Sequence, residues 1–415
     1  MTKQVVAKRV LGLSAAAVVI ACSASSANAT VASDISVRLD DRPGITITGE
    51  FAVPSPYRYI TFAFTQPVDH SRPDRGTFEQ RGSVLFRGDS RPTAFETPGY
   101  DLPDFPFRGE ITSLLDANQV ALEHGHFPGS RPQPVAWDTL TITQVATDHH
   151  RLVQTLRLLF TGAWVSTGSS KGGMSAVHHR AFFPQDVDGT IAYSASSDID
   201  DTNDTAYHDI FRTSGSPQCR ARLDHYLRQM LTDRRDVLAA LRKLADQDKL
   251  TFAEFDGGLE GAFENSLANF RWKLYQSSAS LEQDCAAIPG QSATSKKRVD
   301  FYFANVGLYT DAFIQRSRTS FGIYVFQAVR ELGYPKAVHA IDSLRSLRRH
   351  EPLNVRVQVP QDVPDEIRRL DTDHMRQIHA TIKQTGRNTR PPGLSAGASP
   401  QCAGQPHTRF VERQC

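Results

Sequence analysis

The stretch that most constrains the fold is residues 163–175, which read AWVSTGSSKGGMS. A short apolar run leads into a turn that contains Gly168, Ser170 and Gly172, and a helix-compatible run follows. Glycine is needed where a side chain would collide with a neighbouring strand or helix, and a serine in such a strained turn is lifted out of the sheet. The helix N-terminus behind it favours negative charge. The stretch therefore predicts a reactive serine between a strand and a helix.

Gly168, Ser170 and Gly172 match the G-x-S-x-G pattern, which forms the nucleophile elbow of α/β-hydrolases when a strand precedes it and a helix follows. Such short patterns also arise by chance, so an ordinary turn rich in glycine and serine is the alternative. A second oxyanion donor in that fold comes from a turn after an early strand. Residues 98–100 follow such a predicted strand, although a plain strand-end turn fits them equally well.

The rest of the chain places this elbow in an α/β protein with a helical insertion. Predicted strands and helices alternate around the elbow in the order strand, helix, strand, helix, strand. This alternation indicates a parallel α/β arrangement. The predicted strands cover 45–48, 59–64, 82–86, 92–97, 163–166 and 187–193, and the main helix covers 141–160. The helical spacing of residues 206–333 extends too far for a loop and predicts a cap. Beyond it we expect a strand at 354–359 and a helix at 364–384.

These patterns divide the chain into five parts. A basic start, a short apolar run and an A-x-A site at 27–29 predict a signal peptide over 1–29. A competing interpretation is lipoprotein processing at Cys22; both place the protein outside the cytoplasm, as a secreted protein or an anchored one. The predicted parts that follow are an α/β core over 30–205, a cap over 206–345, a return toward the core over 346–384 and a disordered tail over 385–415.

The net charge limits the classes of partner, and the cysteine content bears on disulfide pairing. The net charge of +2 gives no support for a nucleic-acid partner, and no later run is long and apolar enough to span a membrane. Export permits disulfides, and the four cysteines of the expected mature chain allow three connectivities. We favour Cys219 with Cys285 because both lie in the helical segment; the alternative is that they are unpaired.

Two acidic positions are candidates for holding a cationic group at the carboxyl edge of the sheet, where such folds bind ligands. Glu123 lies at the rim of the sheet and is a candidate for binding a cation, the alternative being a solvated surface carboxylate. Asp198 belongs to an acidic cluster after the strand at 187–193, which could receive a cationic group or form a solvated loop. No spacing of ligands indicates a metal site, because the neighbouring His149 and His150 point in different directions on one helix.

Several motifs in the same order resemble secreted bacterial tripeptidyl aminopeptidases, which are serine exopeptidases also described as prolyl tri- or tetrapeptidyl aminopeptidases. The resemblance runs from about residue 45 to about residue 382. The motifs that carry it are residues 64–70, 97–100, 122–124, 127–132, 166–174, 183–184 and 188–193.

The resemblance implies an α/β-hydrolase fold with a helical cap and the release of short peptides, typically tripeptides, from free N-termini. It implies that Ser170 is the nucleophile and that the N–H of Lys171, with that of Gly99 or Tyr100, forms the oxyanion hole. An acidic group is implied for the substrate ammonium, with Glu123 and Asp198 as candidates. No metal and no organic cofactor is implied.

The sequence departs from the family pattern near its end. The family carries its catalytic Asp in an Asp-Pro-Trp-like turn and its His in an Asn-His-like turn, and neither motif occurs after residue 346. We therefore expect a truncated or frameshifted C-terminus with incomplete last strands and with unknown partners for Ser170. The local substitutes in the required order are Asp362 or Asp365 followed by His374 or His379. The alternatives are a catalytically dead remnant of the family and an esterase or lipase on the same fold.

Overall fold

A seven-stranded mixed sheet forms the centre of the protein. The computed structural model describes residues 34–196, 203–334 and 344–367, together with 376–377 and 380–381. The strands run in the order β1-β2-β3-β5-β4-β6-β7. Their bounds are β1 Ile45–Phe51, β2 Arg58–Pro67, β3 Thr77–Phe86, β4 Thr93–Glu96, β5 Asn118–Leu122, β6 Trp164–Ser169 and β7 Gly189–Tyr193.

The sheet changes character halfway across. The pairs β1–β2, β2–β3 and β3–β5 are antiparallel, whereas β5–β4, β4–β6 and β6–β7 are parallel. The carboxyl ends of the four parallel strands therefore meet at one edge, where open α/β sheets bind ligands. The strand expected around residue 163 is β6, which lies between β4 and β7 in the sheet. Its carboxyl end is therefore at this edge.

Helices cover the faces of this sheet. They are α1 Ile35–Asp40, α2 Glu110–Leu114, α3 Ile142–Leu156 and α4 Lys171–Phe182. Leu152, Val153 and Leu156 of α3 are buried against the sheet residues Phe95 and Trp164 in one apolar core. Burial of such side chains contributes roughly 1.5–3 kcal/mol each. The elbow is thus attached to a well-packed layer. The expected α/β-hydrolase fold is confirmed by this arrangement and by the helical insertion after β7.

The helical insertion has a separate apolar core. Its helices are α5 Thr205–Thr213, α6 Pro217–Thr232, α7 Arg234–Gln247, α8 Leu259–Ala268, α9 Phe270–Ser277, α10 Leu281–Ala287 and α11 Ser295–Asn305. Cys219 of α6 and Cys285 of α10, the pair favoured from the sequence, form a disulfide with Cα atoms 5.2 Å apart. No helix within the described ranges combines the length and the apolar character needed to cross a membrane.

The chain then returns to the sheet through α12 Asp311–Arg316 and α13 Gly322–Gln327, which are separated by one π-helical turn and followed by another. Phe326 and Val329 pack with Trp137 and Phe127 of the sheet domain. Leu332 packs with Met174 of α4. The last helices of the expected cap therefore pack against the sheet domain beside the elbow.

The strand expected at 354–359 is wrong. Val355–Gln358 form a short 3-10 helix, and the segment is bounded by Pro352 and Pro360. Proline has no N–H for a strand ladder, so an alternating pattern between two prolines is a poor strand. Val359 instead packs against α13.

Candidate active site

Ser170 lies in a strained turn between β6 and α4. Its φ and ψ angles are 54° and −123°, a conformation that a residue with a side chain rarely adopts. The Ser170 N–H donates to the carbonyl of Tyr193 on the neighbouring strand at 2.8 Å, which helps to hold this backbone in place. Ser170 itself is exposed although the residues that follow it are buried. The turn therefore presents the serine hydroxyl above the carboxyl edge of the sheet.

The two glycines of the motif are required by close backbone contacts. A Cβ atom on Gly168 would lie 2.6 Å from the carbonyl oxygen of Thr97, and one on Gly172 would lie 2.2 Å from the same oxygen. Carbon and oxygen atoms that are not bonded do not approach so closely in native packing. The spacing of the motif is thus explained by the strand end of β4, which passes directly beside the elbow.

The turn that follows β4 lies against the first residues of α4. Gly99 has a φ of 76°, and a Cβ there would lie 2.4 Å from the backbone nitrogen of Gly172. The Thr97 hydroxyl donates to the Gly172 carbonyl at 2.7 Å. The first N–H groups of a helix have no intrahelical acceptor, so the Lys171 N–H is available beside this turn. The predicted donors of Lys171 and of Gly99 or Tyr100 are therefore on neighbouring segments, as an oxyanion hole requires.

An aromatic wall, defined here as Tyr100, Phe321 and Tyr324, stands beside Ser170. The Tyr100 hydroxyl shares a hydrogen bond with Ser170, and burial raises the pKa of this phenol. The Tyr100 ring stacks on Phe321 with centroids 6.3 Å apart and lies 5.9 Å from Tyr324. Phe321, at the end of a π-helical turn, is 38% exposed. The wall could not be predicted from the sequence, because Tyr100 and Phe321 are far apart in the chain and no local pattern joins them.

Glu123 is fully buried, so the alternative of a solvated surface carboxylate is wrong. Its Oε2 accepts the Leu102 N–H at 2.9 Å and lies 3.2 Å from the Arg81 guanidinium. Burial raises the pKa of Glu123, and Leu102 and Arg81 oppose that rise. Its role toward a substrate ammonium stays a prediction. Asp198, the other candidate, lies outside the described residues.

The base for Ser170 is the part of the site that the sequence left open. Among the described residues, no histidine and no carboxylate is hydrogen-bonded to the Ser170 hydroxyl. Asp362 accepts a hydrogen bond from the Trp137 indole at 3.2 Å, and Asp365 begins a short 3-10 helix. His374 and His379 lie outside the described residues. The identity of the base stays a prediction.

A metal centre is not formed by the described part of the chain, where no three His, Cys, Asp or Glu side chains are grouped suitably for an ion. His149 and His150, adjacent on α3, face different partners. The His150 ring is 2.8 Å from Asp186, whereas His149 is buried against Phe95. His150 is thus paired with a carboxylate, and His149 packs in the apolar core.

Comparison with known proteins gives one family over most of the chain. A family model described as PS-10 peptidase S37 matches residues 28–390. The chain is 36% identical to a prolyl tri/tetrapeptidyl aminopeptidase of Streptomyces mobaraensis over 385 residues, which are 91% of this chain and 78% of that protein. It is 23% identical to the serine protease vicPb of Bipolaris victoriae (strain FI3) over 265 residues, 57% of this chain and 49% of the fungal protein.

Solved structures align only in part. A proline iminopeptidase of Mycobacterium smegmatis aligns with a TM-score of 0.28 at 15% identity, over 40% of this chain and 53% of its own. Acetyl xylan esterase 1 of Thermoanaerobacterium sp. JW/SL YS485 aligns with a TM-score of 0.29 at 14% identity, over 43% of this chain and 65% of its own.

Proposed function

The chain belongs to the peptidase S37 family of serine peptidases, and from this premise we propose that it is an exopeptidase that releases short peptides, typically tripeptides, from free N-termini. The observation that carries the proposal is the exposed Ser170 in its strained turn, beside the N-terminus of α4 and the turn after β4. The peptide length follows the name of the Streptomyces relative.

The chemistry is acyl transfer in two steps. The Ser170 Oγ attacks the scissile carbonyl while its proton passes to a base, and the oxyanion accepts hydrogen bonds from backbone N–H groups. The leaving amine takes the proton and departs, and water then hydrolyses the ester on Ser170. The candidate bases are His374 and His379, oriented by Asp362 or Asp365. No cofactor takes part in these steps.

The aromatic wall favours a substrate with an apolar residue immediately before the scissile bond. Tyr100 is within hydrogen-bond reach of Ser170, so a side chain attached to the attacked carbonyl would lie against the wall. Phe321 exposes ring surface at that place. A proline ring or another compact apolar side chain would bury this surface without leaving a polar group unpaired. The name of the Streptomyces relative begins with the word prolyl, which agrees with this choice.

The proposed setting is outside the cytoplasm. A predicted signal peptide over residues 1–29 leads the chain, and Cys219 and Cys285 form a disulfide. Disulfides persist in oxidising compartments and are rare in the cytosol. The proposed partners are peptides and unfolded chain ends with a free N-terminus.

The test uses matched hexapeptides with proline at the third position, one with a free N-terminus and one acetylated. We expect the free peptide to give a tripeptide, identified by mass spectrometry, and acetylation to lower kcat/KM by roughly 10- to 100-fold through loss of a charge-assisted contact. Ser170→Ala serves as the inactive control.

The same assay separates the alternatives. Hydrolysis of a simple acyl ester without release of any peptide would favour an esterase. Binding of the peptide without turnover would favour the catalytically dead remnant. Either result would overturn the proposed exopeptidase.

A further inference from the structure

Lys171 is a buried lysine in an apolar setting. Its side chain is 3% exposed, and its Nζ lies 5.8 Å from the ring centre of Tyr100 and 5.7 Å from that of Phe127. Burial holds the pKa of this amine well below its usual range, and within the described residues the amine forms no ion pair with a carboxylate. Burial of an amine is costly, so an apolar side chain of similar length would fill the space at lower cost.

Within the described ranges the amine donates to one acceptor, the carbonyl oxygen of Gly99 at 2.8 Å. Gly99 is in the turn after β4, which lies against the first residues of α4. The peptide unit between Gly99 and Tyr100 is trans, so its C=O and its N–H point in opposite directions. When Lys171 holds the Gly99 oxygen, it also directs the Tyr100 N–H away from the buried amine.

The next peptide unit is fixed separately. The carbonyl of Tyr100 accepts the N–H of His124 at 3.0 Å. This contact joins two backbones and keeps the turn attached to the end of β5. Among the described contacts, the hydrogen bond from Lys171 is the one that holds the oxygen of the preceding Gly99–Tyr100 peptide. Gly99 has no Cβ, so its intrinsic backbone preference does not fix the orientation of that peptide.

We propose that Lys171 is a positioning residue for the oxyanion hole. Its own N–H is one donor, and its side-chain amine orients the peptide whose N–H, on Tyr100, is the other. Tyr100 rather than Gly99 then supplies the second donor. The inference rests on the proposed function, because an oxyanion hole has a purpose only in acyl transfer.

The test compares Lys171→Met with wild-type protein. Methionine keeps the length and apolar volume but cannot donate to Gly99. We expect kcat to fall by about 10- to 100-fold, less than or comparable to the loss of a whole oxyanion donor, while KM changes by less than about 3-fold. Affinity for a peptide boronate, which forms a tetrahedral adduct, should fall with kcat. The melting temperature should be unchanged or higher, because a buried amine is removed.

A matched control is Met174→Leu. Met174 lines the same small cavity as Lys171, one turn further along α4. This volume-conserving change should leave kcat, KM and boronate affinity near the wild-type values. If it lowers kcat as much as Lys171→Met does, general packing rather than orientation explains the effect and the inference is overturned.

A crystal structure of Lys171→Met gives a readout that does not depend on activity. We expect the Gly99–Tyr100 peptide to rotate or to lose a single orientation. An unchanged peptide plane together with unchanged kcat overturns the role of Lys171. Wild-type protein that cleaves no peptide overturns the proposed exopeptidase instead, and the crystal structure then still decides whether Lys171 orients this peptide.

Discussion

The elbow and the helical insertion hold their residues in place by different means. At the elbow, the backbones of β4, β6 and α4 approach so closely that Gly168 and Gly172 have no room for a Cβ. In the insertion, side chains such as Tyr226 and Phe270 fill an apolar core, and a disulfide joins α6 to α10. The first region depends on backbone position and the second on side-chain volume and pairing. Changes at the elbow should therefore affect activity directly, and changes in the insertion should affect stability first.

The largest effect should come from Gly172→Ala. Its Cβ would lie 2.2 Å from the Thr97 carbonyl, so the strand end and the elbow must separate. We expect kcat/KM to fall by about 100-fold or more and the free energy of unfolding to fall by about 2–3 kcal/mol. Peptide hydrolysis and urea denaturation measure the two effects.

The control for this change is Gly290→Ala in the insertion. Nothing lies within 4 Å of a Cβ at Gly290, and the residue is exposed. Activity and stability should both stay near wild type. An active and stable Gly172→Ala protein would contradict the difference between the two regions, because it would show that the elbow tolerates displacement of its backbone.

A smaller effect, confined to stability, is expected from Arg234→Met in the insertion. Arg234 is buried, pairs with Glu264 and Glu260, and donates to the Leu347 carbonyl at 2.7 Å. Removing the guanidinium leaves the buried Glu264 with less compensation, which should cost about 3 kcal/mol. The kcat of the folded protein should not change, and denaturation together with steady-state kinetics checks both statements.

The neighbouring Arg235 offers a matched control, because its side chain is 94% exposed. Arg235→Met should change stability by no more than about 0.5 kcal/mol. If Arg234→Met lowers kcat in protein that is still folded, the insertion acts on the site directly and the two regions are less separate than we infer.

The elbow region also contains a half-buried carboxylate that differs from Glu264. Glu96, at the end of β4, has no recorded cationic partner among the described residues, and burial raises its pKa to about 7. This folded pKa is higher than that of an unfolded chain, so the folded protein binds more protons between about pH 4.5 and about pH 7. Its contribution to stability is present below that window and is lost as the pH rises through it.

Glu96→Gln should therefore stabilise the protein above about pH 7 by about 2 kcal/mol and have little effect near pH 4.5. Urea denaturation at both pH values measures the difference. Glu79→Gln on β3, where the carboxylate is exposed, is the matched control. A stability difference for Glu96→Gln that does not depend on pH would show that folding leaves the pKa of Glu96 unchanged, and it would contradict this account.

The sequence was informative where local pattern decides the structure. The elbow, six of the seven strands and the helix α3 follow from glycine spacing and apolar periodicity, whereas β5 was not predicted. Ser170 has the strained backbone that its motif predicts. The pattern was less informative about breaks. Residues 223–244 have continuous helical apolar spacing, but the structure divides them into α6 and α7 at Asp233. The spacing did not show this break, because the apolar pattern continues through the short turn.

Contacts between distant residues could not be predicted. The aromatic wall joins residue 100 to residues 321 and 324, and the burial of Glu123 depends on Arg81 and on the turn at Leu102. The amine of Lys171 reaches Gly99 across the elbow. Each contact is set by how the strands and helices pack, which no single stretch of sequence records. The base for Ser170 would also come from a distant part of the chain, so the elbow motif does not identify it.

The central claim is that the elbow makes Ser170 a nucleophile. A fluorophosphonate probe reacts covalently with a serine only where the hydroxyl is activated and the oxyanion is stabilised. Intact-mass measurement with peptide mapping should show one adduct on Ser170 in the native protein, and none in Ser170→Ala or in heat-denatured wild type. An adduct on Ser169 or Ser175, or native wild-type protein that takes up no probe, would contradict the account.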